Sequence, residues 1–301
     1  MNVVFASNTG YVEHLGVAIC SLLDHNRQEH IRAYVVNQDI QPGTWNQLRT
    51  ITSHHDCDLV DVKISDRDIG GLATPHHLTR ETYYRLFVPE KLQLSKALYL
   101  DADIVVNGPI RELYDIDLDD CCLAAANTPG FVAHQDLEMS VGGRYFNAGV
   151  MLINLDKWRS EHIKERVIDV VRRKPWAIQF ADQCGLNSVV NGQWKEIHPK
   201  FNVQSFYFDV GIGPYASSFP PGELAFAVEH PIILHYSGSV KPWHFGYRHP
   251  YRKTYWKYLR KTPFNRWFSN DISFAKVVKA CIPRRLKESV KATFTPARES
   301  K

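Results

Sequence analysis

The chain has 301 residues, 44% hydrophobic and 23% charged, with a formal net charge of +4. These values exclude the disordered and fibrous classes and leave one large globular domain, or one domain plus an appendage. No run approaches the ~18–20 apolar residues of a membrane-spanning helix, and Met1-Asn-Val-Val-Phe-Ala-Ser7 lacks the basic n-region and long apolar centre of a signal peptide, so the chain is expected in the cytoplasm.

Residues 2–7 read as a short apolar strand that breaks at Asn8-Thr9-Gly10, and an amphipathic helix follows over 11–23. Apolar runs at 31–36 and 59–64 flank a polar helical stretch beginning near Gly43. The first hundred residues therefore alternate β and α in the manner of a mostly parallel sheet. Gly-x-Gly-x-x-Gly is missing from the first loop and Gly-x-x-x-x-Gly-Lys-Ser/Thr from the chain, so neither a nicotinamide cofactor nor a P-loop is indicated. Asn8 carries an acceptor and donors suited to a uracil edge, and Tyr11 can stack on a base. Taken singly, they read equally well as a turn asparagine and a core tyrosine.

The next element is Lys96-Ala-Leu-Tyr-Leu-Asp101-Ala-Asp103-Ile-Val-Val106. Residues 96–100 and 104–106 are too short and too apolar for an amphipathic helix and read as a buried strand, with Asp101 and Asp103 pointing the same way. Two carboxylates so placed repel and raise each other's pKa unless a cation or strong donors neutralise them. Magnesium or manganese is the usual solution, and the carboxyl ends of strands are where ligands collect in open α/β sheets. The alternative is a strand end with a solvated turn at Asn107-Gly108-Pro109.

Strands are expected at 123–126 and 148–155, helices at 156–173 and 181–190, a loop at Pro220-Pro221-Gly222, and late strands at 225–228 and 232–236. Tyr145-Phe-Asn147-Ala-Gly149 puts a polar residue and a glycine at the mouth of a buried strand, as expected where backbone must approach a ligand closely. Phe180-Ala-Asp182-Gln183 opens a helix, with Asp182 either a cap or a neighbour of an amide that faces a cavity. His235-Tyr-Ser-Gly238-Ser-Val-Lys241-Pro-Trp243 supplies an imidazole able to complete a carboxylate metal site and a lysine able to neutralise phosphate.

Six cysteines (Cys20, Cys57, Cys121, Cys122, Cys184 and Cys281) show no Cys-x-x-Cys spacing and read as reduced core fillers. A domain boundary is expected near residue 250. Residues 252–301 hold 14 Lys/Arg against 3 Asp/Glu, which leaves a net charge of −7 on residues 1–251. A basic, helical tail that also carries Trp256, Trp267, Phe268 and Phe274 suits an anionic membrane surface. A solvated charged helix is the alternative. Nucleic acid is not an expected partner, because no recognisable reader module is present.

Together and in order, Val3-Val-Phe-Ala6 with Tyr11, Thr82-Tyr-Tyr-Arg85-Leu, Tyr99-Leu-Asp101-Ala-Asp103, Tyr145-Phe-Asn147-Ala-Gly149 through Asn154, Asp182-Gln183 with Leu186-Asn187, and His235-Tyr-Ser-Gly238 through Lys241-Pro-Trp243 resemble glycosyltransferase family 8. The resemblance spans roughly residues 2–250 and is strongest to the bacterial lipooligosaccharide galactosyltransferases. It implies a GT-A-type nucleotide-sugar fold with a mixed, mostly parallel central sheet in residues 1–250, and the basic amphipathic region read from composition over 251–301 lies beyond it. The implied activity is a retaining transfer of galactose or glucose from a UDP-hexose to a lipopolysaccharide-like or other cell-surface glycan, with Mn²⁺ or Mg²⁺ as cofactor. Separately from the resemblance, the basic tail is expected to hold the chain at the inner face of the plasma membrane, where a lipid-linked acceptor would be found.

By matched position the resemblance assigns the cation to Asp101, Asp103 and His235, the phosphates to Gly238 and Lys241, and uridine to Ala6, Asn8, Tyr11 and Ala102. It assigns the donor sugar to Arg85, Asn147, Ala148, Asp182 and Gln183. Gln183 falls where a nucleophile is expected, but an amide is a poor one, and such families are discussed in terms of front-face return. Two positions depart from the pattern: Asn8-Thr9-Gly10 replaces Asp-Asp-Asn, and Asn127 replaces an acidic residue near the donor sugar, which leaves galactose and glucose both open. Residues 73–78, with His76 and His77, resemble a flap over the donor. Two other readings compete: an Asp-x-Asp phosphatase of the haloacid dehalogenase kind, and a non-catalytic sugar-nucleotide binder.

Overall fold

In chain order the elements are β1 (Asn2–Ala6), α1 (Val12–His25), β2 (Ile31–Asn37), α2 (Pro42–Thr52), β3 (Cys57–Lys63), α3 (Asp66–Ile69), α4 (Val88–Lys91), β4 (Lys96–Leu100), β5 (Ile104–Val106), α5 (Arg111–Tyr114), β6 (Leu123–Asn127), β7 (Phe146–Asn154), α6 (Leu155–Ser160), α7 (Ile163–Arg173), α8 (Ala181–Val190), β8 (Trp194–Glu196), β9 (Val203–Gln204), α9 (Pro221–Glu229), β10 (Ile233–His235) and α10 (Arg252–Leu259). The computed structural model describes residues 1–69, 72, 80–128, 131, 134–140, 143–208 and 219–273.

Seven strands form one sheet in the order β3-β2-β1-β4-β7-β6-β8, parallel except for β7, which runs antiparallel to both neighbours. Strand alternation feeds two cores. Val3, Phe5, Leu98 and Leu100 face α1 and α2, where Leu15, Ile19, Trp45 and Leu48 are buried. Val4, Ala6, Ala97 and Tyr99 face the opposite layer, with Tyr83, Trp158 and Cys184. This is the α/β, GT-A-type architecture that the resemblance implies.

A second, three-stranded sheet of order β5-β10-β9 decides the site. Residues 96–106 are not one strand: β4 lies in the large sheet and β5 in the small one, and the chain turns at Ala102-Asp103. Asp101 and Asp103 therefore converge through a turn between sheets and not by alternation along a strand.

Three further expectations are corrected. Residues 225–228 are helical, within α9, and Pro220-Pro221-Gly222 opens that helix: Pro221 sits in its first turn, and Leu224 and Ala227 are buried three residues apart while Ala225 and Phe226 are exposed. The helix expected at 156–173 is broken into α6 and α7 by His162, at φ 52. β8 and β9 are too short to carry a period in the sequence.

Packing runs across residue 250. Tyr255, Trp256, Tyr258 and Leu259 of α10 are buried with Val17 of α1, Val105, Leu234 and Tyr236. Among the described residues no helix is long and apolar enough to cross a membrane, and Cys20, Cys57, Cys121, Cys122 and Cys184 are free thiols. Cys281, His76, His77 and residues 274–301 lie outside the described residues.

Candidate active site

Asp101 follows the last residue of β4, and its backbone N–H donates to Gly149 O of β7 at 2.8 Å. Asp103 precedes β5. Pairing of His235 with Ile104 and a Tyr236 N–H bond to Asp103 O at 3.0 Å then bring the end of β10 to the same turn. His235 Nε2 lies 3.3 Å from Asp103 Oδ1 and 3.8 Å from Asp101 Oδ2. One ligand atom from each of the three residues falls within 4.8 Å of the others. The close backbone approach expected at Gly149 is to this cluster: a Cβ there would meet His235 Cε1 at 2.3 Å and Asp101 Oδ2 at 2.7 Å.

Lys241 Nζ stands 2.5 Å from Asp103 Oδ2 and donates to Tyr236 O at 2.8 Å. Burial pushes the Asp103 carboxyl up, but Lys241 and His235 outweigh it and hold the group well below the usual carboxylate range.

Arg85 ties this cluster to a second one. Its side chain is buried over the Tyr99 ring, 4.5 Å from the centroid, and its Nη2 is 3.2 Å from Asp101 Oδ1. Arg85 Nη1 donates to Ala148 O, and Nε lies 2.9 Å from Asp182 Oδ2 while its N–H is directed at Thr82 O, also at 2.9 Å. Asp182 Oδ2 consequently has the charge of Arg85 beside it but no aligned hydrogen bond. Burial pushes the Asp182 carboxyl up to about 7, against the pull of Arg85.

Asp182 is in the first turn of α8 but caps nothing: the cap position is Phe180. Asn187 holds α8 against β7 by accepting from Phe146 N–H at 2.8 Å and donating to Phe146 O at 2.9 Å. That clamp presents Gln183 to Asn147 and Ala148. Gln183 Oε1 accepts from Ala148 N–H at 3.0 Å and from Asn147 Nδ2 at 3.2 Å.

On the other side, Ala6 ends β1, and Asn8 Oδ1 accepts from Tyr11 N–H at 2.9 Å, the local turn role that its residue type allows. The Tyr11 ring packs edge-on to Trp243 at 5.6 Å. Burial first, and then the charges of Asp103 and Asp101, push its hydroxyl pKa up. Ala102 is buried in the core. Gly238 has φ +91 with open space where a Cβ would be, so backbone conformation and not crowding requires glycine there. Asn127 is buried, and its Oδ1 accepts from Tyr145 N–H at 3.2 Å.

Sequence reasoning missed Asn202. It is fully buried and hydrogen-bonded to both His235, at 3.0 Å, and Asn147, at 2.9 Å. A polar residue between Phe201 and Val203 is the only local signal.

The profile described as Glycosyl transferase family 8 matches residues 2–246. The chain belongs to glycosyltransferase family 8. As a family 8 glycosyltransferase it is similar to General stress protein A of Bacillus subtilis (strain 168), with 30% identity over 274 residues that cover 88% of this chain and 95% of the relative. It is 23% identical to the lipopolysaccharide 1,2-glucosyltransferase of Escherichia coli (strain K12), over 88% of this chain and 79% of that one. The fold superposes on galactosyltransferase LgtC, solved with donor and acceptor sugar analogs, with a TM-score of 0.81 at 24% identity, covering 93% of this chain and 100% of the other. Family 8 membership sets aside the phosphatase and the non-catalytic readings.

Proposed function

We propose that the protein is a retaining, divalent-cation-dependent hexosyltransferase that moves galactose or glucose from a UDP-sugar to a hydroxyl of a lipopolysaccharide-like or other cell-surface glycan. The observation that carries this reading is the convergence of Asp101, Asp103 and His235, from different segments, within 4.8 Å of one another and beside Lys241. The names of the lipopolysaccharide glucosyltransferase and of LgtC support the sugar and acceptor classes.

Two carboxylates and one imidazole suit manganese, with magnesium the alternative, and the cradle that a Cβ at Gly149 would fill leaves room for the ligating atoms. When bound, the cation would act as a Lewis acid at the diphosphate. Arg85 and Lys241 already balance Asp101 and Asp103. A divalent cation therefore brings positive charge that the diphosphate offsets, and the two bind together.

In this reading Lys241 and the Gly238 turn hold phosphate, and Ala6, Asn8, Tyr11 and Ala102 surround uridine. Arg85, Asn147, Ala148 and Asp182 hold the donor sugar. Gln183 orients and does not attack: its Oε1, the atom that would be the nucleophile, is already taken by two donors. That favours front-face return. The acceptor oxygen bonds to the anomeric carbon as the carbon–phosphate-oxygen bond breaks, and the acceptor proton passes to the departing diphosphate.

Peripheral attachment to anionic lipid is part of the same proposal, and it keeps the enzyme beside a lipid-linked acceptor. Trp267 and Phe268 are 73% and 74% exposed, with the Arg260 guanidinium 5.9 Å from the Trp267 ring centroid.

The test is a panel of UDP-sugars assayed for UDP release with and without acceptor, in Mn²⁺ and in EDTA. Turnover of one UDP-hexose that is lost in EDTA and restored by Mn²⁺ is expected. Turnover that survives EDTA, or no turnover of any UDP-hexose, overturns the reading.

A further inference from the structure

We propose that Asn202 is a positioning residue: one amide fixes the His235 tautomer and ties the cation site to the donor-sugar residue Asn147. This rests on the cation reading above. The Gly149 N–H can only donate, and it lies 2.9 Å from Asn147 Oδ1, which establishes that atom as the carbonyl oxygen. The same oxygen accepts from Asn202 Nδ2 at 2.9 Å, because turning the Asn202 amide over would set oxygen against oxygen. Asn202 Oδ1 is thereby aimed at His235 Nδ1, 3.0 Å away.

An amide oxygen only accepts, so His235 Nδ1 carries the proton and the lone pair of the neutral ring sits on Nε2. Nε2 is the ring atom turned to Asp103 and Asp101. The opposite tautomer would put a lone pair against the Asn202 oxygen and an N–H where a cation is to be ligated. Asn202 is fully buried and His235 nearly so. Few waters can then substitute for the bond, and a partner of this kind typically accounts for 10–100-fold in metal affinity.

Asn202 also acts in the other direction. Its donated bond leaves Asn147 Nδ2 pointing at Gln183, so a single side chain sets the imidazole that serves the cation and the amide that serves the sugar.

The test titrates Mn²⁺ into the full chain and follows free Mn²⁺ by electron paramagnetic resonance, for the parent, Asn202→Leu and Asn202→Asp. It is joined by ¹⁵N NMR of His235 in the metal-free parent at alkaline pH. Asn202→Leu is expected to bind Mn²⁺ about 10–100-fold more weakly. Asn202→Asp keeps parent affinity, because a carboxylate accepts the same Nδ1 proton. It raises the KM for donor, because it cannot donate to Asn147 Oδ1. The parent ring is expected to carry its proton on Nδ1. Parent-like uptake by Asn202→Leu, or a proton on Nε2, overturns the inference alone. A parent that takes up no Mn²⁺ overturns the cation reading and this inference with it. Should Asn202→Leu fail to fold, Asn202→Asp and the parent spectrum still decide.

Discussion

The Cβ that Gly149 lacks would stand 2.3 Å from Cε1 of His235. No non-bonded pair of carbons tolerates that distance, so Gly149→Ala must push the imidazole, Asp101 or β7 itself. Overpacking of this kind costs about 1–3 kcal/mol. Here two of the crowded groups, His235 and Asp101, are proposed ligands, so Mn²⁺ affinity should fall far more than stability does. Titration of Mn²⁺ beside a thermal melt checks this, and an alanine variant with parent affinity refutes it.

Asp103 has the most to lose on truncation. Asp103→Ala leaves Lys241 without its 2.5 Å partner and the cluster without a carboxylate. Loss of one preorganised electrostatic element of this type costs about 10²–10³ in kcat. UDP release at saturating donor and Mn²⁺ measures it.

Asp182 carries a pH signature. Its folded pKa, pushed up to about 7 by burial, lies above the ~3.9 of an unfolded aspartate. The folded state therefore binds the proton more tightly, and this group's contribution falls as pH rises from about 4 to 7. Asp182→Asn abolishes that loss. Its melting temperature relative to the parent should climb across this window and level off above it, while turnover drops because the donor sugar loses a carboxylate. A difference in melting temperature that is flat with pH counts against the assignment.

The folded unit should not survive truncation at residue 250. Tyr255, Trp256, Tyr258 and Leu259 are buried, each worth about 1.5–3 kcal/mol, against a net stability of about 5–15 kcal/mol for a whole domain. A chain ending at residue 273 should melt cooperatively, and one ending at 250 should not. Calorimetry of the two separates the outcomes.

Trp267→Ser with Phe268→Ser, in the full chain, should reduce sedimentation with anionic vesicles and leave UDP-sugar hydrolysis in solution unchanged. Neither ring belongs to the candidate site, and they are among the most exposed large apolar groups of the described residues. Sedimentation equal to the parent's removes the membrane reading for this pair.

The alternation of β-branched runs with helices was legible in the sequence because one strand residue in two faces each core: Val3 and Phe5 on one side, Val4 and Ala6 on the other. Asp101 and Asp103 were legible as a pair because their spacing is local, although the turn that makes them converge was not. Asn202 was out of reach. Its partners lie 33 and 55 residues away, and no pattern in the chain records a bond of that span.

By itself the sequence determined the layered α/β architecture, the family and the residue types available for chemistry, since period, composition and motif order are properties of neighbouring positions. Tertiary structure alone decided that Arg85 is shared between Asp101 and Asp182, that Gly149 must have no side chain, and that His235 faces the carboxylates through Nε2. Those relations depend on where β4, β7, β10 and α8 meet, and that meeting point is set by burial and pairing over the whole chain rather than by any one segment.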